Sequence, residues 1–338
     1  MRKFSIIVLK LTLIALIFYY LVYRALKSDA FTELKFETLN WNYLALGLLL
    51  NLVATIITIV RWRALVLALN APLSMGDAMK FGFIGFMFNL SPVGVVGGDA
   101  VKVVLLSQKS GLSISRSTAS VVIDRAIGLY AMFVLGVLVL FLTGFYHNPA
   151  PLAQFATKGL IALTVFTTLF FAVIVWPSSK QSLGAFLRKI PLIGGFVEKL
   201  TSATLEYNRS RKTLLYSFLS TFLVHTGFAV SLFCLARGLY RDVPNLIDHF
   251  VLYCLGNVGS IIPLSAGPLE YFLDELYPLF LIPSRGCSLE PGYGMAIGIV
   301  YRLATALVAL IGVAYYVLSK RKLNDAPDQS NVDNSSVG

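Results

Sequence analysis

The stretch NLSPVGVVGGDAVK, residues 89–102, interrupts a long apolar region with a proline, three glycines and an aspartate. Proline and glycine disfavour a continuous helix, so a single membrane-crossing helix is not expected here. The arm before the break, 78–90, has about 13 residues and at 1.5 Å per residue reaches roughly 20 Å, short of the ~30 Å hydrocarbon core. The stretch therefore predicts two short helices that enter the membrane and return.

The overall composition is that of a membrane protein. Of the 338 residues, 57% are hydrophobic and 13% are charged, which is far more apolar than a soluble domain. The net charge is +11, but the basic residues flank apolar segments and form no stripe on a polar domain, which favours lipid headgroups over nucleic acid as partners. The cysteines at 234, 254 and 287 lack metal-ligand spacing, so no metal or other cofactor is predicted.

Six apolar segments are long enough to cross a bilayer as α-helices. The first lies within the N-terminal 27 residues and is expected to be retained, because no small-residue cleavage site follows it. The others lie at about 41–62, 116–145, 157–176, 213–237 and 292–319. Two further apolar regions, 77–107 and 246–281, are each interrupted in the middle. We therefore expect an all-α integral membrane protein with six transmembrane helices and two re-entrant helical hairpins.

Basic residues predict the orientation, since cytoplasmic loops carry an excess of Lys and Arg. With the N-terminus inside and both hairpins re-entrant, 18 of the 28 Lys and Arg residues fall on the inner side, 7 on the outer side and 3 within the membrane. This favours a multi-pass protein of a bacterial-type cytoplasmic (inner) membrane with both termini cytoplasmic. Residues 1–323 then form a single membrane domain, and the polar segment 324–338 is expected to be disordered.

The two interrupted regions match each other in sequence. Their breaks, NLSPVGVVGGD and SIIPLSAGPLE, align without a gap, with an aspartate 15 residues before a proline and an acid 7 residues after it. The matched positions are Asp77 with Asp248, Pro92 with Pro263, and Asp99 with Glu270. Each break is followed by a helix that carries an intramembrane arginine, Arg125 or Arg302. These features predict inverted-topology repeats at about 41–145 and 213–319, a design of secondary transporters, with a chance match as the alternative.

The glycines of the first break suggest an anion site. The step Gly97, Gly98, Asp99 is expected to begin the returning helix, so that free backbone N–H groups point toward the middle of the membrane. Asp99 and Glu270 can instead cap their own helices as first-turn acids. An amide at the end of a descending arm, such as that of Asn89, more often bonds exposed backbone than a ligand.

The two arginines carry more weight. A charge in the bilayer centre costs at least ~2.5 kcal/mol, so it usually faces a cavity and has a partner. One interpretation is a static ion pair, of Arg125 with Asp99 or Asp124 and of Arg302 with Glu270. The other is that both guanidinium groups hold a phosphate through parallel N–H donors, while the acids neutralise them when no substrate is bound. Lys102, one turn past Asp99, reaches either the same pocket or the inner headgroups.

These residues carry a resemblance to a known family. The run FNLSPVGVVGGDAVKVVLL, with VVIDRAIGL, PLSAGPLEYF and a helix containing YR, resembles the lysylphosphatidylglycerol synthase transmembrane-region family over about residues 5–320. The resemblance implies a multi-pass, flippase-like protein that moves a phosphate-bearing or isoprenoid lipid. The second break departs from the family's usual glycine-rich pattern, because Ser265 to Pro268 precede Leu269 and Glu270. The predicted substrate-binding residues are Asn89, Pro92, Gly97, Gly98, Asp99, Lys102, Asp124, Arg125, Pro263, Gly267, Glu270 and Arg302.

The sequence favours transport over catalysis. No Walker motif or histidine-centred constellation is present in it, so an enzyme is not expected. The leading hypothesis is a lipid flippase that moves a phospholipid or polyprenyl-phosphate type of lipid by alternating access. The alternatives are an ion-coupled small-solute transporter, in which Asp99 and Glu270 titrate, and a non-transporting scaffold for a separate lipid-modifying enzyme.

Overall fold

The computed structural model describes residues 34–90, 95–175, 210–258, 266–282, 286 and 288–324, together with residues 12, 19, 20, 23, 30 and 207. Four sequence predictions therefore fall wholly or mostly outside the described residues. They concern the N-terminal span, the two break prolines Pro92 and Pro263, Cys287 and the polar tail. Helix is observed up to Asn324, one residue into the segment expected to be disordered.

The regular secondary structure of the described part of the chain is helical, apart from an isolated bridge between Leu281 and Ser288. Its nine α-helices are α1 (Trp41–Leu67), α2 (Met75–Asn89), α3 (Val95–Ser110), α4 (Ile114–Thr143), α5 (Pro151–Val175), α6 (Arg211–Leu239), α7 (Leu246–Val258), α8 (Pro268–Leu276) and α9 (Tyr293–Asn324). Five of them, α1, α4, α5, α6 and α9, contain stretches long and apolar enough to cross a membrane. The protein is thus an all-α membrane protein with five candidate spans in this part of the chain.

Side-chain caps begin several of these helices. Asn40 accepts a hydrogen bond from the Tyr43 amide ahead of α1, at 3.3 Å. Ser74 accepts from the Asp77 amide ahead of α2, at 3.0 Å. Ser113 caps α4 in the same way. Each cap satisfies a backbone donor that the first helical turn leaves unpaired, so short polar residues between apolar segments mark these helix starts.

Helices α2 and α3 pack side by side as an antiparallel pair, which we call hairpin one. Lys109 Nζ lies 3.7 Å from Asp77 Oδ2 at its open end. In the middle, Gly85 faces the stem of Lys102, and at the tip Gly98 faces Asn89. The helices have 15 and 16 residues, so at 1.5 Å per residue neither exceeds about 24 Å.

Helices α7 and α8 form an equivalent pair, hairpin two. Gly256 on α7 faces Leu269 and Leu273 on α8, as Gly85 faces Gly98 and Lys102 in hairpin one. Every member of the second set follows its counterpart by 171 positions, and Glu270 follows Asp99 by the same 171. Positions that the gap-free alignment matches therefore make corresponding contacts within the two helix pairs.

The long helices α1 and α6 meet through small residues. A Cβ added to Gly47 would lie 2.7 Å from Leu235, and one added to Gly227 would lie 3.0 Å from Ala54. Ser231 Oγ donates to the Gly47 carbonyl at 2.7 Å. Because residue numbers rise along α1 as they fall along α6, the two helices are antiparallel. Small residues let helix backbones approach closely, which is how membrane helices gain packing energy.

The two hairpins are packed crosswise. The first arm of hairpin one contacts α9, where the Phe83 carbonyl lies against Gly312. The first arm of hairpin two contacts α4, where Cys254 Cβ would be 3.1 Å from a Cβ on Gly136. Cys254 again follows Phe83 by 171 positions. Each hairpin therefore rests on the long helix that follows the other hairpin.

Candidate functional site

Hairpin one holds the first of two matched ion pairs. Arg125 on α4 donates Nε to Asp99 Oδ2 at 3.0 Å and Nη2 to Asp99 Oδ1 at 2.8 Å, so the contact is bidentate. The Arg125 side chain is 43% exposed and that of Asp99 20%. The guanidinium is held by a carboxylate in the geometry with which it would also hold a phosphate.

Hairpin two holds the second ion pair. Arg302 on α9 donates Nη2 to Glu270 Oε2 at 2.9 Å, and its Nε also bonds Oε1. Glu270 Oε2 accepts in addition from the Gly267 amide at 2.9 Å, so this carboxylate caps α8 while it pairs with the arginine. The Glu270 side chain is fully buried. Gly267 has φ 103°, a conformation that favours glycine, and its amide serves the cap.

The two acids differ in their place on the helix. Glu270 lies in the first turn of α8. Helix α3 is described from Val95, so Gly97 and Gly98 lie in the first turn of the described helix and Asp99 is its fifth residue. Asp99 is therefore not a first-turn cap, which excludes one of the two alternatives for this acid. Asp99 is positioned to meet Arg125 instead.

Gly98 is the point of closest approach between the arms of hairpin one. A Cβ at this position would collide with Asn89 Oδ1 and with the Gly85 carbonyl. Asn89, the last residue of α2, therefore lies against the backbone of the returning helix. The glycine is required by packing, which is a different reason from the free N–H groups expected of it.

Asp124 has a partner that the sequence did not suggest. Arg61 on α1 donates Nε to Asp124 Oδ1 at 3.0 Å and Nη1 to Thr221 Oγ1 on α6 at 2.6 Å. Both charged side chains are almost completely buried. The motif Arg61, Trp62, Arg63 reads as the cytoplasmic end of a span, but α1 continues to Leu67 and Arg61 lies within it. Asp124 therefore pairs with Arg61, and Arg125 pairs with Asp99.

Lys102 does not extend to headgroups at the membrane surface. The residue is 8% exposed, and its Nζ lies 4.2 Å from the centre of the Trp62 ring, a cation–π contact. Trp62 in turn donates Nε1 to Ser120 Oγ at 3.3 Å. Lys102 thus lies in the interior beside the ion pairs, and snorkelling, one of the two alternatives for this residue, is excluded.

Two more buried polar residues make hydrogen bonds that link neighbouring helices. His225 on α6 bonds the Gly128 carbonyl through Nε2 at 3.0 Å and Tyr253 Oη through Nδ1 at 2.9 Å. A carbonyl only accepts, so Nε2 carries a proton in this arrangement. Asp274 on α8 accepts from the amides of Gly292 and Met295 at 2.6 and 3.1 Å and so caps α9. Asp274 was not anticipated, because its partners are 18 and 21 residues away.

The arrangement brings most of the predicted site residues to the two hairpins and the helices packed on them. A family model described as "Lysylphosphatidylglycerol synthase TM region" matches residues 7–312. The UPF0104 membrane protein of Pyrococcus horikoshii is 26% identical over 175 residues. That match covers 50% of this chain, and the chain spans about half the length of this curated relative.

Proposed function

Because the chain belongs to the lysylphosphatidylglycerol synthase TM region family, we propose that it is a flippase that moves a phosphate-bearing lipid between membrane leaflets. Membership associates the chain with lipid handling in a membrane. The single observation that carries the proposal is the pair of matched carboxylate–guanidinium contacts, Asp99 with Arg125 and Glu270 with Arg302, at equivalent places beside two cross-packed hairpins.

The transport cycle that we propose uses the hairpins as re-entrant elements of inverted-topology repeats. Arms of no more than 16 residues support this, since about 20 residues are needed to cross. The antiparallel packing of α1 on α6 also fits repeats of opposite orientation. With the N-terminal span, the protein then has six crossings and cytoplasmic termini in an inner membrane. Two arrangements of nearly equal energy would open the site to opposite faces.

Arg125 is the group we assign to the headgroup phosphate. It is partly exposed, and its bidentate partner Asp99 is a carboxylate that a phosphate can replace in the same geometry. Between transport events Asp99 neutralises the guanidinium, which avoids an unpaired charge at membrane depth. Anionic membrane lipids are thus the proposed partners, together with a separate enzyme that modifies the lipid, since we propose no catalytic role for this chain.

Transport can be tested with protein reconstituted in liposomes. A fluorescent phospholipid and a labelled polyprenyl phosphate are each followed in both directions, with and without a proton gradient. We expect movement of at least one lipid that is lost in Arg125→Ala. The matched control is Lys109→Ala, which removes an ion pair at the open end of the same hairpin. The flippase proposal would be refuted if the wild-type protein in liposomes moved neither lipid. Transport that persists in Arg125→Ala would refute the role of this arginine.

A further inference from the structure

Lys102 is a buried lysine that has no ion-pair partner of its own among the described residues. Within the part of the chain that the structure describes, its ammonium group makes a ring contact with Trp62 and no hydrogen bond or ion pair. Burying a charge without a carboxylate partner costs free energy. A lysine in such a place is therefore expected to have a function there. The lysine lies three residues after Asp99 on α3, and residues at that spacing are neighbours on a helix surface.

The charged cluster around Lys102 has an excess of one positive charge. Among the described residues, the charged groups close enough to act on it are two carboxylates and two guanidinium groups: Asp99, Asp124, Arg61 and Arg125. The two ion pairs cancel, so the cluster carries one positive charge when Lys102 is protonated. With Lys102 protonated, the cluster becomes neutral when a group with one negative charge joins it, as a phosphodiester would at neutral pH.

Hairpin two has a leucine, and no cation, at the position equivalent to Lys102. The residue equivalent to Lys102 is Leu273, which packs against Gly256 as Lys102 packs against Gly85. Glu270 is fully buried and also holds the Gly267 amide. If a phosphate took Arg302 from Glu270, Leu273 could offer the carboxylate no replacement partner. In hairpin one, Asp99 has such a replacement three residues away.

We propose that Asp99 exchanges partners during transport: when a singly charged headgroup phosphate binds Arg125, the Asp99 carboxylate turns to Lys102. The inference rests on the proposed function and deepens it. Hairpin one binds the headgroup, and the Glu270–Arg302 pair of hairpin two is a fixed structural contact. Lys102 acts as a positioning residue that keeps Asp99 paired while Arg125 is occupied.

Binding measurements on detergent-solubilised full-length protein test the exchange. The probe is phosphatidylglycerol, with chain-matched phosphatidylcholine as the reference, and bound lipid is counted by native mass spectrometry. Lys102→Met keeps the apolar stem against Gly85 and Trp62 but removes the charge. We expect it to weaken phosphatidylglycerol binding about 10- to 100-fold, because Asp99 then has no partner but Arg125. Lys102→Arg, which keeps the charge, should remain within a few-fold of wild type.

A double variant separates partner exchange from direct contact. Asp99→Asn combined with Lys102→Met frees Arg125 without a lysine, so binding should recover to near the wild-type value. If the double variant binds as weakly as Lys102→Met, or if Lys102→Met binds as wild type does, the exchange is refuted. These results are distinct from failure of the flippase proposal, which is tested by lipid movement in wild-type liposomes.

Two further probes check the ligand class. Phosphatidic acid carries about 1.5 to 2 negative charges, so we expect it to bind less tightly than phosphatidylglycerol; tighter binding would overturn the assignment of a single charge. Soluble glycerophosphoglycerol presents the same diester without acyl chains. Competition by it at concentrations similar to those of the lipid would assign the site to a soluble phosphodiester and overturn the lipid assignment.

Discussion

Arg61 and Asp124, which are 63 residues apart in the chain and lie on different helices, form an ion pair with a 3.0 Å contact in the protein interior. Removing one partner of such a pair leaves the other charge buried and unpaired. Removing both leaves an apolar contact. The pair therefore makes a specific prediction about stability.

We expect Arg61→Met or Asp124→Leu alone to lower the free energy of unfolding by about 3–5 kcal/mol. The double variant should lose less than the sum of the two, which denaturation in mixed detergent micelles can measure. The control is the Lys109–Asp77 pair, whose lysine is 59% exposed; disrupting a pair of this kind costs about 0–1 kcal/mol. Additive losses at Arg61 and Asp124 would contradict the coupling.

Gly98 should not tolerate a side chain. Gly98→Ala places a methyl group against Asn89 and the Gly85 carbonyl, so we expect a loss of about 1–3 kcal/mol from overpacking. Gly159→Ala is the matched control, since it lies in helix α5 and a Cβ there meets nothing within 4 Å. Thermal unfolding of the two variants in detergent compares them. An equally stable Gly98→Ala protein would show that the arms are farther apart than the structure has them.

The two matched acids should differ in their contribution to stability. Glu270→Gln weakens a fully buried contact with Arg302 that also caps α8, so it should lower the melting temperature clearly. Asp99→Asn affects a partly exposed pair, and we expect a smaller drop. The two melting curves, recorded in one detergent, decide the order. If Asp99→Asn lowered the melting temperature more than Glu270→Gln did, the structural role assigned to the Glu270–Arg302 pair would be contradicted.

Membrane topology can be tested by labelling single cysteines in a variant without native cysteines. Met75→Cys and Lys109→Cys lie at the two ends of hairpin one, and both should react from the cytoplasmic side. Leu246→Cys and Leu281→Cys lie at the ends of hairpin two, and both should react from the outer side. All four positions are exposed. Ends of one hairpin that react from opposite sides would show that it crosses the membrane.

Much of this architecture could be predicted from local sequence. The break around Pro92, its spacing to Asp99 and the repeated spacing from Pro263 to Glu270 are visible within 30-residue windows. The pairing of each acid with the following arginine was one of two stated alternatives. In the structure, Asp99 pairs with Arg125 and Glu270 pairs with Arg302. Whether these arginines hold a phosphate stays a prediction.

The rest depends on contacts between distant helices. Arg61 meets Asp124 and Thr221 only because α1, α4 and α6 pack together, which no local pattern records. Lys102 is buried because Trp62, 40 positions earlier, lies beneath its ammonium group. A charged residue near a predicted span end looks the same in the sequence whether it reaches a headgroup or turns inward, so tertiary packing decides between the two.

The crosswise contacts of Gly312 with Phe83 and of Gly136 with Cys254 also affect how the chain assembles. If the residues up to the end of α5, or those from α6 onward, were made alone, an apolar face of the hairpin in that half would be uncovered. The two halves therefore depend on each other as the subunits of an obligate dimer do. Fragments cut between residues 175 and 210 should accumulate when produced together and be degraded when produced separately. The order of synthesis then matters, because the first half must wait for the second before its packing is complete.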